Sequence, residues 1–336
     1  MALAQNANLT VLKLGYNNLG DAGVITLAAG IVAHKSLNLL DLGFNNIGDE
    51  GIIALVHSNS SNSYSNSSTA TLHTLYLAGN QFGEDGAIAM ADFLRQGSRL
   101  RKLFMTGNRI GGDGVKAITE AILEQEIQMR ELYLGGTGMG LIGCQAVARL
   151  LEKSWYLRVI SLPNCDIGDD EICMLASCIK SNKGRLPIES LQLSFNNISY
   201  KGLEAVANAL WGSTTLKELK VDNNIIGDRG AHQMAAIIPT MKVFKILDVG
   251  FNKITASGLT VLMKTIAESQ TLESLSVSGN AIDSNAAKSV AFALAYNCSL
   301  QSIFLIHCSI GHEELRHIAA GIVSNSRTSL HRMTGF

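Results

Sequence analysis

One short pattern recurs through nearly the whole chain and decides what it can fold into. Leu9-Thr-Val-Leu12-Lys-Leu14-Gly-Tyr-Asn17-Asn-Leu19-Gly-Asp-Ala-Gly23 returns in close form from Leu37, Leu72, Leu100, Met129, Leu157, Ile188, Leu216, Phe244, Leu272 and Leu300. The steps between starts are 28, 35, 28, 29, 28, 31, 28, 28, 28 and 28 residues, so seven of the ten are identical. A fixed period of this length belongs to stacked supersecondary units, each touching only its neighbours. The expected domain is therefore a single array spanning residues 1–336, with eleven units over about 9–323. A Ser/Asn-rich loop at 57–71 accounts for the longest step.

Each position of the unit has a physical task. The alternating leucines predict a short strand with its apolar side chains turned to one face. Equivalent strands then pair in parallel. Asparagine follows at 17, 45, 80, 108, 196, 224, 252 and 280, where its side-chain amide can satisfy backbone groups in the bend after the strand. Thr137, Cys165 and Cys308 fill the same slot, so both cysteines read as structural. Asp21, Asp49, Asp169 and Asp228, with Ser284 in the tenth unit, stand where they can cap the first turn of a helix. Gly23-x-x-x-Leu27-x-x-x-Ile31 and its equivalents form a stripe facing the strands, the glycine allowing close approach. Strands repeat every ~4.8 Å and helices are ~10 Å wide, so the array is expected to curve into a horseshoe. That fold is α/β, with a parallel sheet on the concave face and helices on the convex face.

The unit L-x-x-L-x-L-x-x-N/C-x-I/L-G-D-x-G-x-x-x-L-A-x-x-L resembles the ribonuclease-inhibitor-like branch of the leucine-rich-repeat family, over about Leu9 to Val323. Similar arrays form the sensing domains of NOD-like receptors and the body of Ran GTPase-activating protein. The resemblance implies a protein-binding surface on the concave face and its loops. It does not identify a partner, because sites are grafted onto folds. Departures are visible: the fifth unit carries Gly135-Gly136-Thr137-Gly138, and Glu171, Ala286 and Glu314 replace the helix glycine in three others.

Composition narrows the function. Hydrophobic residues make up 47% and charged residues 16%, enough apolar surface for a core and no signature of disorder. A formal net charge of −1 excludes a general nucleic-acid binder. No apolar run approaches a membrane span, and the first residues lack a secretory signal. Six cysteines without paired spacing point to free thiols and an intracellular, cytoplasmic setting. Cys173 and Cys178, five apart on one helix, read as small core residues. With no helix ahead of the first unit and little after the eleventh, a fragment of a longer protein is expected.

Nothing in the sequence supplies catalytic chemistry. There is no phosphate-binding loop, dinucleotide glycine signature or nucleophile elbow. His312 and His317 are five apart, on different sides of a helix, and hold no metal together. No cofactor is expected. The residue between the last two leucine positions of each strand faces outward, and three consecutive ones are aromatic: Tyr76, Phe104 and Tyr133. Arg101, Lys102, Arg130 and Arg158 lie at the strand starts beside them. Tyrosine and arginine dominate binding hot spots, so these seven residues form the expected patch for a protein partner, with this chain as a scaffold or a subunit of a larger assembly. Tyr16, Phe44, Phe195 and Phe251 in the bends are expected to pack over the bend, and Ser181–Pro187 to be a plain connector. The alternative reading is a GTPase-regulating protein resembling the Ran activator, with Arg109 and Arg229, on bends, as its candidates.

Overall fold

A computed structural model describes residues 2–32, 34–57, 71–182, 184–325 and 329–334. The Ser/Asn-rich stretch and its two Asn-Ser-Ser sequences therefore lie outside the described residues, apart from His57 and Thr71. The chain divides into two compact units, Met1–Cys165 with Gly184–Pro187, and Asp166–Lys183 with Ile188–Phe336.

The first unit holds α1 (Ala2–Gln5), β1 (Val11–Lys13), α2 (Gly20–Val32), β2 (Leu39–Asp41), α3 (Asp49–His57), β3 (Thr74–Tyr76), α4 (Glu84–Arg95), β4 (Lys102–Phe104), α5 (Gly111–Glu124), β5 (Glu131–Tyr133), α6 (Gly140–Lys153) and β6 (Val159–Ser161). Its strands pair in parallel and in sequence order, like position against like: Leu12 with Leu40, then Leu75, Leu103, Leu132 and Ile160. The second unit holds α7 (Asp169–Ser181), β7 (Ser190–Gln192), α8 (Tyr200–Leu210), β8 (Glu218–Lys220), α9 (Gly227–Ile237), β9 (Ile246–Asp248), α10 (Ala256–Glu268), β10 (Ser274–Ser276), α11 (Ser284–Tyr296), β11 (Ser302–Phe304), α12 (His312–Ser324) and β12 (Arg332–Thr334). Here Leu191, Leu219, Leu247, Leu275, Ile303 and Met333 align. Two elements go beyond the sequence reading. Short helix α1 precedes the first repeat, with Leu3 against Gly30, and β12 follows the eleventh.

The expected strand–bend–helix unit is present in every repeat. The central strand residue is buried and its neighbours are half-exposed, as in β4 and β5. Leu40, Leu103 and Leu132 are fully buried, and burying one such side chain contributes about 2 kcal/mol. Leu9, Leu12 and Leu14 of the first repeat, covered on one side only, stay half-exposed.

The asparagines do more than close their own bends. Asn252 Nδ2 donates to its own repeat at Val249 O (3.1 Å) and Gly250 O (2.9 Å), and to the preceding repeat at Val221 O (2.8 Å). Its Oδ1 accepts from Ile226 N, and Asn280 Oδ1 accepts from Asn252 N and Ile254 N. Asn45 and Asn80 repeat this arrangement in the first unit. Where thiols replace the amide, Cys165 Sγ reaches Leu134 O and Pro163 O, and Cys308 Sγ reaches Val277 O and Ile306 O. Burial pushes the Cys165 pKa up to about 11 and raises that of Cys308, so both are inert thiols. None of the six cysteines is in a disulfide, but Cys173 is exposed and Cys178 half-exposed, so neither is the core residue expected. Both lie off the inward stripe of α7, which is carried by Ile172, Leu175, Ala176 and Ile179.

Helix capping also differs from expectation. The recurring aspartates cap the helix of the next repeat rather than their own. Asp21 Oδ1 accepts from Gly48 N and Gly51 N, and Asp49 Oδ1 from Gly83 N and Gly86 N. Asp169 serves Ser199 N and Gly202 N, and Asp228 serves Thr255 N and Gly258 N. The helix glycine is needed for this relay: a Cβ on Gly51 would stand 2.5 Å from Asp21 Oδ1, and one on Gly258 2.6 Å from Asp228 Oδ1. In the tenth repeat Asp283, not Ser284, is the N-cap, accepting from Asn285 N and Ala286 N.

Burial raises the pKa values of Asp169 and Asp228, but hydrogen bonds from Ser199, Gly202, Thr255 and Gly258 outweigh it and hold both carboxyls below their ordinary value. Their contribution to stability is complete above the unfolded-state pKa and is lost as pH falls through the folded one. Unfolding midpoints should therefore be flat from neutral pH to about pH 5 and decline below about pH 4. An Asp169→Asn, Asp228→Asn variant keeps the Oδ1 acceptor of the backbone N–H groups, exchanges the Oδ2 that accepts from the Ser199 and Thr255 hydroxyls for an amide NH2, and should show a shallower acid limb in pH-dependent thermal melts. An unchanged limb would remove these two groups from the account.

Candidate partner-binding surface on the strand faces

The last residue of each strand stands on the side opposite the helices. In the first unit the parallel register sets Tyr76, Phe104 and Tyr133 side by side. Their rings stack at centroid separations of 4.0 and 4.1 Å, with interplanar angles of 16° and 13°. That is closer than the ~4.8 Å between strands, so the rings lean together. All three are half-buried. Lys102 Nζ lies 2.7 Å from Glu131 Oε1, and Tyr133 Oη 3.3 Å from Glu131 Oε2. Lys102 is thus committed within the patch. Arg130 and Arg158 are exposed and Arg101 half-exposed. Arg101 and Arg130 have no carboxylate at ion-pair distance among the described residues. Ring stacking and the Glu131 contacts join Tyr76, Phe104, Tyr133 and Lys102, while Arg101 lines a cavity at the helix-to-strand rim with Arg99 and Gln128.

The second unit's strand face is built differently. Glu218 accepts from Ser190 Oγ (2.6 Å) and Gln192 Nε2 (3.3 Å) and pairs with Lys220 Nζ at 2.8 Å. Burial would raise its pKa, but the bonds from Lys220 and Ser190 hold it low. Asp248 is shifted upward, by burial and by the neighbouring Asp222 charge. Glu218, Lys220, Asp222 and Asp248 line a cavity of about 510 Å³ with Phe251, Phe304 and Ile306. The Arg332 guanidinium already sits 5.5 Å from the Phe304 ring. Apart from the Asp222–Asp248 neighbours, this surface satisfies its own charges.

Tyr16, Phe44 and Phe251 pack over a bend as expected, at a conformational penalty, whereas Phe195 is 59% exposed. Tyr16, Phe44, Phe195 and Phe251 are left-handed, with φ of 62°, 55°, 56° and 51°. Other repeats use glycine there, as at Gly79 and Gly279. Tyr16 stacks on Phe44 at 4.4 Å, and the rings of Phe44 and Phe251 fill the space a Cβ on Gly79 or Gly279 would need. Such a conformation costs about 1–2 kcal/mol per bulky residue and is retained only where packing offsets it.

Two placements correct the sequence reading, and Arg109 is where it was expected. Arg229 is not on a bend: it lies in α9, its guanidinium 4.9 Å from the Tyr200 ring. Arg109 is exposed on the bend after β4. The stretch Gly184–Pro187 is no plain connector, since it belongs to the first unit and places Arg185 5.4 Å over the Trp155 ring. Trp155 and Tyr156, 62% and 42% exposed, went unmarked in the sequence. The available signal was positional: the helix-to-strand connector ahead of Leu157 is the one with two aromatics. Among the described residues no group of three or more His, Cys, Asp or Glu side chains is placed to hold a metal, and no helix is long and apolar enough to cross a membrane.

The leucine rich repeat family model matches residues 5–28, 33–56, 70–91, 100–118, 187–207, 212–234, 241–263 and 268–291, just over half of the chain. The eight matched repeats are those with asparagine in the bend. The unmatched ones carry Thr137, Cys165 and Cys308, and the structure shows them folded alike. Ribonuclease inhibitor of Sus scrofa is 23% identical over 326 residues, 96% of this chain and 64% of that protein. NACHT, LRR and PYD domains-containing protein 12 of Mus musculus is 27% identical over 159 residues, 47% of this chain and 15% of that protein. The chain thus spans less than two thirds of these relatives' length. A chain in the crystal structure of the Rad7 and Elc1 complex in yeast superposes with a TM-score of 0.59 at 14% identity, covering 96% of this chain and 80% of that one.

Proposed function

Because the chain belongs to the leucine-rich-repeat family, in its ribonuclease-inhibitor-like branch, we propose that it is a non-catalytic recognition subunit that binds a protein through the first unit's strand face. The observation that carries this reading is the Tyr76–Phe104–Tyr133 stack, three large rings half-exposed on a surface where they fill no core. Stacking fixes the rings before binding, so little rotamer entropy remains to be lost on contact. Arg101 and Arg130 flank the stack with unpaired charge.

Two similar proteins support a binding role. One is named for inhibiting a ribonuclease, and the other was crystallised in a complex with a second protein. We read residues 1–336 as one working array, and the six cysteines, none in a disulfide, as fitting a reducing, intracellular compartment. No observation favours GTPase regulation: of its two candidates, Arg229 lies over the Tyr200 ring and Arg109 is an exposed side chain on its bend.

The test is affinity capture from native extract with the unaltered chain and with a Tyr76→Ala, Phe104→Ala, Tyr133→Ala variant of unchanged melting cooperativity. Each buried ring in a hot spot is worth about 2 kcal/mol, so the variant should lose the partner by a factor of at least about 100. Equal capture by both chains would refute the assignment.

A further inference from the structure

We propose that the helix-to-strand rim of the first unit is a second docking site, for an acidic protein segment that seats one bulky apolar side chain beside Trp155. It does not depend on the aromatic stack of the strand face and shares only Arg101 with that reading.

A groove of about 550 Å³ opens where α5 and α6 end. Its floor is apolar and buried: Ile122 at 3%, Ile127 at 7% and Leu150 at 0% exposure. Its outer wall is Trp155 and Tyr156, largely exposed. A neighbouring cavity of about 360 Å³ includes Arg99 and Arg101 and shares Glu126 and Ile127 with the groove, so the two form one trough. The shared corner is a fixed structure. Ile127 N donates to Ile122 O, and Glu126 adopts φ +48°, the left-handed residue of a helix-ending motif that usually takes glycine. The end of α4 uses Gly97 at φ +88° for the same turn.

Charge selects the occupant. Arg99, Arg101, Arg149 and Lys153 line the trough against Glu124 and Glu126. Glu124 is already held by Arg95 at 2.8 Å, whereas the Arg149–Glu120 contact is loose at 3.9 Å. The surplus is positive, and it surrounds an apolar slot with an exposed tryptophan, the composition of an anchor pocket. Arg185 over the Trp155 ring stiffens that wall. A nucleic acid would suit arginine and aromatics too, but Glu124 and Glu126 interrupt the cationic track a phosphate backbone requires.

The test is selection from a random-peptide phage library against the full chain. Selected peptides are then measured on three variants: Trp155→Ala, the charge-only Arg149→Glu, Lys153→Glu, and the strand-face triple alanine. The expected peptides are acidic with one large apolar residue. They should weaken about tenfold or more on both rim variants, weaken as salt rises, and bind the strand-face variant unchanged. The charge-only variant keeps the test valid if Trp155→Ala disturbs folding. Selection of no peptide, of basic or neutral peptides, or of peptides indifferent to the rim variants overturns the proposal, as does displacement by oligo-uridylate RNA. Peptides lost only on the strand-face variant overturn it while leaving the strand-face reading intact.

Discussion

An Asn252→Ala chain should unfold with about 4 kcal/mol less free energy than the original in urea titration, among the largest losses available from one polar substitution. The side chain is fully buried, donates to Val221, Val249 and Gly250 carbonyls and accepts from Ile226 N. Alanine removes all four bonds and orphans the buried Ile226 N, while the carbonyls of Val221, Val249 and Gly250 each keep one donor, from Asn224 Nδ2, Asn280 Nδ2 and Asn223 N. Each lost bond is worth about 0.5–1.5 kcal/mol, and leaving a buried N–H unsatisfied costs about 1–3 kcal/mol. The natural repeats supply a control. Thr137 keeps one such bond, to Leu134 O at 2.7 Å, so Asn252→Thr should lose roughly half as much. Equal losses for Ala and Thr would mean that the volume, not the hydrogen bonds, stabilises the bend.

The second large effect concerns the relay between helices. A Gly258→Glu chain should lose about 3 kcal/mol, because any Cβ there meets Asp228 Oδ1 at 2.6 Å and its Cα at 2.9 Å, and the glutamate adds a like charge. The eleventh repeat shows how this sequence solves the same problem. Glu314 caps its own helix through Gly311 N at 3.1 Å and accepts from Ser284 Oγ, at the Asp228-equivalent position, at 2.8 Å. Adding Asp228→Ser to Gly258→Glu should therefore recover at least about 1 kcal/mol of the loss, a coupling that a double-mutant cycle measures directly. Additive losses would show that the two positions do not communicate.

These two devices differ in how far the sequence discloses them. The asparagine slot is visible because it recurs within one unit, and its bend-closing role follows from amide chemistry. Its reach into the preceding repeat needs the stack. The aspartate relay is harder to see, since donor and acceptor belong to different repeats. Asp21 serves Gly51, Asp49 Gly86, Asp169 Gly202 and Asp228 Gly258. Helices that follow a repeat without that aspartate use Glu171, Asp283 or Glu314 of their own, or, like α5, α6 and α9, start with no side-chain cap. Reading one unit at a time hides this rule, and reading adjacent units together reveals it. The strand-face residues were legible because strand alternation fixes which side chains face outward. The Trp155 rim was not, because it joins the ends of two helices to a connector segment from residues 184–187, and no periodicity marks that meeting.

The central claim, that this chain meets its partner through the aromatic stack of the first unit, is tested most directly by site-specific photocrosslinking. A benzophenone amino acid would replace Phe104 on the strand face and, in a separate chain, Ile88, which is 40% exposed on α4. Illumination in native extract should give a protein adduct from position 104 and none from position 88. An adduct from position 88 alone would place the partner on the helical face and contradict the claim.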